Sequence, residues 1–143
     1  ISTYLWNRIL LKEGWTMQAI DELHMYLQHP YMRKTLQSMV LRARKYNAMI
    51  WCATQQITHC LNPQYAYEVS SLLNSSPIKF LFNLGDVELG EVKKALSLKD
   101  GEIKCIAAAV KRHCLVLAGK ERYAIEVGTL PYEEHLFGKG GGQ

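Results

Sequence analysis

A chain of 143 residues and 16.3 kDa is about one domain's worth of polypeptide, long enough to bury roughly two-thirds of its unfolded surface. At 48% hydrophobic and 21% charged residues it falls outside the disordered, collagen-like and low-complexity classes. The longest apolar runs, Ala48 to Ala53 and Cys105 to Val110, are far short of the ~20 residues of a membrane-spanning helix. Arg8 and Lys12 break the apolar start, which excludes a signal peptide there, and an opening Ile1 suggests a piece of a longer protein. The net charge of +4 is concentrated early, because no acid lies between Glu22 and Glu68 while Arg33, Lys34, Arg42, Arg44 and Lys45 do. Such a run is either a solvated helix face or a surface that meets phosphate. The cysteines at 52, 60, 105 and 114 lack zinc-site spacing and read as buried, reduced thiols.

Taken in chain order, residues 1–12 carry apolar positions at helical spacing, and Gly14 ends that helix. Met17 to Ile20 predicts a short buried strand closing on Asp21-Glu22. Pro30 opens a helix that runs to about Tyr46, with Met32, Leu36, Met39, Val40 and Ala43 on its core face. Ala48 to Ala53 is a continuous apolar run, the pattern of a parallel strand buried on both faces. A loop with Asn62-Pro63 follows, then a helix near 64–74 and a third strand over 78–82. Helices are expected over 86–96 and about 100–109, then a hairpin of strands 114–118 and 122–127 around Gly119-Lys120. Pro131 starts a last short helix, and 138–143 is a flexible tail behind a single domain over 1–137. Strand–helix alternation over 1–97 predicts a mostly parallel sheet with flanking helices, extended by the antiparallel hairpin.

The chemistry concentrates where apolar strands deliver polar residues. In open α/β sheets ligands bind at the carboxyl edge, so Asp21-Glu22 would face that crevice. One carboxylate can order a Mg²⁺ through its water shell while the other accepts a proton from an attacking water. The alternative is an Asp-Glu pair at a helix start. Strand 48–53 ends in Thr54-Gln55-Gln56, where an amide can hold a lytic water or sense a γ-phosphate. Arg44 and Lys45 can clamp phosphate, or simply compensate a helix end. They precede strand 48–53, so they lie at the opposite end from Asp21 and Gln55 and are expected to act on nucleotide held by a neighbouring subunit.

Ala19-Ile20-Asp21-Glu22-Leu23-His24, Arg42 to Asn47, Ala53-Thr54-Gln55 and Leu73 to Ser76 together resemble the C-terminal motor domain of the TraC/VirB-type ATPases of conjugation and type IV secretion. The resemblance runs from about residue 15 to 137. It implies a partial RecA-like P-loop NTPase core, with ATP and Mg²⁺ as cofactors. It further implies Asp21 as the Walker B aspartate that holds the metal through water, and Glu22 as the catalytic glutamate. Arg44-Lys45 match the family's Arg-Lys motif, and Thr54-Gln55 its Thr-Gln motif at the nucleotide. His24 stands where the family often has Trp, and receives no role. The implied partners are other copies of the same ATPase, as in a hexamer, the membrane-embedded secretion channel, and DNA. The implied location is cytoplasmic, at the inner face of the bacterial membrane.

The phosphate cradle G-x-x-x-x-G-K-[ST] does not occur, since neither Gly119-Lys120 nor Gly138-Lys139 has the flanking residues. The expectation is therefore the back part of a larger ATPase, inactive as this chain alone. A DNA-translocating coupling protein of the FtsK/HerA type shares the same motif logic. A non-catalytic assembly module of a secretion apparatus is the rival from another class.

Overall fold

The computed structural model describes residues 2–11 and 14–133, so the tail over 138–143 and most of the helix expected after Pro131 lie outside the described residues. The chain divides into two compact units, Ile1–Pro77 and Ile78–Gln143.

In the first unit, α1 (Ser2–Leu10) precedes β1 (Thr16–Ile20), and α2 (Leu23–Gln28) and α3 (Pro30–Ala43) follow. A 3₁₀ turn, Arg44–Tyr46, leads into β2 (Ala48–Cys52); α4 (Ile57–Cys60), a second 3₁₀ turn at Pro63–Tyr65 and α5 (Ala66–Ser75) complete the unit. Strands β1 and β2 pair in parallel, with Thr16 opposite Ala48 and Ile20 opposite Cys52. The connection between them is the α2–α3 segment, as a parallel crossover requires.

Helix α3 starts at Pro30 as expected but ends at Ala43, with the remaining expected residues in the Arg44–Tyr46 3₁₀ turn, and it buries Leu36, Met39 and Ala43. One apolar cluster joins Ile20, Leu27, Leu36, Tyr65, Val69 and Leu72; another joins Trp6, Ile9 and Met39. Arg33 fastens the first cluster. Its Nη1 donates to the Leu27 carbonyl at 2.7 Å, its Nε lies 3.6 Å from Glu68 Oε1, and its guanidinium sits 4.9 Å from the Tyr65 ring centre. Tyr65 in turn donates its hydroxyl to the His59 carbonyl at 2.6 Å. One cation thereby ties α2, α3, α4 and α5 together.

Two expectations need correction. Strand 48–53 is not buried on both faces: Met49 is 51% and Trp51 46% exposed. In β1 only Gln18 and Ile20 are buried while Met17 is exposed, so each strand has one covered face and the apolar run reflects composition, not double burial. Nor is there one mostly parallel sheet. The described strands form a two-stranded parallel sheet and a separate three-stranded antiparallel one.

In the second unit, β3 (Ile78–Leu81) pairs antiparallel with β4 (His113–Ala118), which pairs antiparallel with β5 (Glu121–Glu126). A Gly119-Lys120 turn joins β4 to β5, and Gly119 adopts φ 60, a value a residue without Cβ takes at little cost. Strand β4 buries Cys114 to Leu117, and α6 (Asp86–Leu96) and α7 (Asp100–Ala107) bury Leu89, Val92 and Ile106. Arg122 on β5 meets Glu102 on α7 at 3.2 Å. The strand expected over 78–82 forms as β3, and the expected hairpin extends it with antiparallel strands; the difference is that β3 does not join the parallel pair β1–β2.

A cavity of about 20 Å³ sits against Gln18, Ile20, Leu36 and Met39 in the first unit. Gln18 is 8% exposed and its Oε1 has no hydrogen-bond partner among the described residues. A buried, unpaired amide oxygen costs about 1–3 kcal/mol. Gln18→Leu should therefore raise the urea midpoint of unfolding; a lower midpoint would show that the amide is satisfied in solution.

Candidate active site at the carboxyl ends of the parallel strands

The pairing of β1 with β2 continues beyond both strands. Ala53 N–H donates to the Ile20 carbonyl at 2.9 Å, and Leu23 N–H donates to the Ala53 carbonyl at 2.8 Å. These two bonds set the residues after β1 beside the residues after β2. Asp21 and Glu22 thus come next to Thr54 and Gln55.

Glu22 takes the left-handed backbone conformation, φ 50 and ψ 52, directly before α2. For a residue with a side chain this costs roughly 1–2 kcal/mol. Asp21 Oδ1 supports it by accepting from Glu22 N–H at 2.8 Å. Strain of this kind gathers at functional positions, where surrounding structure holds it in place. Gln55 Nε2 donates to Glu22 Oε1 at 3.4 Å. His24 Nδ1 stands 3.3 Å from Glu22 Oε2 and 3.3 Å from Thr54 Oγ1. Thr54 Oγ1 also accepts from Gln56 N–H at 3.2 Å and lies 3.7 Å from Cys60 Sγ. The His24 ring stands edge-on to His59, with centroids 5.9 Å apart.

Of the residues singled out in the sequence, Asp21, Glu22, Thr54 and Gln55 therefore share one site. Arg44 and Lys45 do not. They sit in the 3₁₀ turn before β2, at the amino end of the strand, and both are exposed. Lys45 Nζ lies 5.9 Å from the Tyr46 ring centre, a loose cation–π contact that leaves its ammonium in solvent. The residue that sequence reasoning left without a role is His24, which is buried and touches both halves of the site. Its signal was present but weak: a histidine two positions past a strand-end acid reads as a replacement for a bulky apolar residue, not as a polar contact.

Asp21 is exposed, with one carboxylate oxygen engaged by Glu22 N–H. One free carboxylate oxygen on an open edge suits Mg²⁺ held through its own waters, since that ion sheds its hydration reluctantly. Among the described residues no group of three or more His, Cys, Asp and Glu could hold a metal by itself.

The site therefore combines an exposed acid, a second acid held by an amide and an imidazole, and parallel strands ending side by side. The chain is similar to VirB4 of Thermoanaerobacter pseudethanolicus, with a TM-score of 0.84 and 26% identity over 91% of this chain. It spans 35% of that chain's length. No protein-family model matches the chain, and neither does any curated protein.

Burial pushes the Cys60 thiol above its ordinary 9.0, an effect that its hydrogen bond with Thr54 partly offsets. The folded chain then holds this proton more tightly than the unfolded chain. The corresponding stability is present below pH 9.0 and is lost as pH rises through the folded value. Urea midpoints followed from pH 7.5 to about 10 should fall more steeply in the wild type than in Cys60→Ala. Equal slopes would show that Cys60 titrates normally.

Proposed function

We propose that this chain is the back part of a RecA-like ATPase that powers type IV secretion and conjugative transfer. The observation that carries the reading is the 3.4 Å approach of Gln55 to Glu22 across two parallel strand ends. The likeness to VirB4 supports it independently. Glu22 serves as the base that accepts a proton from the attacking water, and Gln55 orients that water. Asp21 holds Mg²⁺ through water, and Thr54 lies beside the nucleotide. Bound Mg-ATP supplies the reactive phosphoryl group; these residues supply orientation and proton acceptance. The phosphate cradle belongs to another part of the longer protein.

Arg44 and Lys45 fit a second role in the same reaction. Strand β2 holds five residues, which spans ~16 Å at about 3.3 Å per residue. Arg44 and Lys45 at its amino end are too far from Glu22 to reach the same nucleotide. They act on nucleotide in an adjacent copy of a homo-oligomeric ring, as a finger that neutralises developing charge. The partners are thus further copies of this ATPase and the secretion channel in the bacterial membrane, with DNA as a further partner. Among the described residues no helix is long and apolar enough to cross a membrane; the location proposed with this role is the cytoplasmic face of that membrane.

In the complete protein, Glu22→Gln should lower kcat by on the order of 10²-fold or more while ATP remains bound, because the amide keeps the shape and loses the base. Steady-state hydrolysis with a nucleotide-binding assay measures both. Turnover near the wild-type rate would return Glu22 to the part of a helix-start residue.

Arg44→Ala should likewise lose hydrolysis and keep ATP affinity. Mixed with the Glu22→Gln protein, it should recover part of the activity, since some interfaces then pair an intact finger with an intact base. In an assembly shown to exchange subunits, strictly additive activity would mean that Arg44 does not act across the interface.

A further inference from the structure

We propose that His24 is a positioning residue: its Nδ1–H holds the Glu22 carboxylate in place against the end of β2. The proposal rests on the reading of Glu22 as the base. Three observations carry it. His24 is 8% exposed, and it belongs to α2, whose first residue is tied to Ala53 by the 2.8 Å bond from Leu23 N–H, so the ring is a fixed part of the unit. The Glu22 side chain, by contrast, is 37% exposed, and among the described residues its contacts are those with His24 and Gln55. The two contacts divide the carboxylate, with Oε2 on the buried imidazole and Oε1 on the exposed Gln55 amide.

The chemistry fixes where the imidazole hydrogen must be. An ionised carboxylate only accepts hydrogen bonds. An approach of 3.3 Å between Glu22 Oε2 and His24 Nδ1 is attractive only if Nδ1 carries hydrogen. The other tautomer would set a nitrogen lone pair against a carboxylate oxygen. Thr54 Oγ1, at the same 3.3 Å, is the hydrogen-bond partner of Nδ1 and also accepts from Gln56 N–H, with the Glu22 carboxylate beside it at ion-pair distance from the same nitrogen. The threonine that follows β2 and the glutamate that follows β1 are thereby held through one ring nitrogen. Without it, Glu22 would keep its exposed contact with Gln55 and be free to swing about its remaining torsions. A base that wanders by an ångström loses rate without losing substrate affinity.

The test uses two substitutions in the complete protein. His24→Phe fills the space of the ring and has no N–H; His24→Asn places an amide N–H near the position of Nδ1. The expected result is a loss of about tenfold in kcat with unchanged KM for ATP in His24→Phe, the scale seen when an orienting contact is removed. His24→Asn should recover most of that loss. A structural role alone would predict the reverse order, because Phe keeps the packing better than Asn. A second readout needs no turnover: nitrogen-15 spectra of histidine-labelled wild-type protein should show hydrogen on His24 Nδ1. Wild-type kcat in His24→Phe, or a bare Nδ1 in the spectrum, overturns the proposal. Failure of the Glu22 reading appears elsewhere, as undiminished turnover in Glu22→Gln, and leaves the spectrum as it is.

Discussion

Everything at the candidate site depends on the parallel register of β1 and β2. With Ile20 opposite Cys52, the backbone continues to pair for one step past each strand, through Ala53 N–H to Ile20 and Leu23 N–H to Ala53. A slip of β1 by one residue would turn its side chains to the other face, burying Met17 and exposing Gln18 and Ile20. The slip would also separate Glu22 from Gln55. The fold specifies this register by hydrophobic contrast, since Ile20 belongs to the Leu27–Leu36–Leu72 cluster. Core packing and site geometry are thus one constraint.

Arg33 extends that constraint to the walls of the site. A buried ion pair is weak evidence for stability, because desolvation offsets much of its attraction. Its contribution here is positional. By gripping the Leu27 carbonyl, the Tyr65 face and Glu68, it fixes α2 against α5, and through Tyr65 it reaches the His59 carbonyl on α4. His24 on α2 and Thr54 just ahead of α4 then meet at a set depth.

Much of this was legible from residue order. The acids closing on a short apolar run, the basic helix end before the next strand and the Thr-Gln at that strand's close fixed which residues to watch, and the structure brings four of them together. Helix limits were also close, because Pro30 and the i, i+3, i+4 spacing of Leu36, Met39 and Ala43 are local signals. What failed was non-local. The burial of β2 was misread because Met49-Ile50-Trp51 is apolar whichever face is covered. The sheet to which Ile78–Leu81 belongs was misread because a ladder partner is chosen by distant residues. Helix α2 was missed because its six residues are held by Leu27 and a backbone bond to Ala53, neither of which is a sequence pattern. His24 was passed over for the same reason, since its partners lie 30 residues away at Thr54 and across a left-handed turn at Glu22.

That left-handed turn has an evolutionary consequence. Position 22 asks for glycine or asparagine on conformational grounds, and for a carboxylate on chemical grounds. Glycine or asparagine relaxes the backbone only by removing the acid, and aspartate, the one acid that tolerates this φ more readily, is a methylene shorter than the side chain that reaches Gln55 and His24. Proteins sit only a few kcal/mol above the threshold of folding, and substitutions that ease strain are readily accepted when function no longer opposes them. Glutamate at this φ therefore works as a marker of use. In a copy of this chain that had ceased to need its acid, residue 22 is where small or amide side chains would accumulate first, ahead of Asp21 or Gln55, whose backbones carry no such tension.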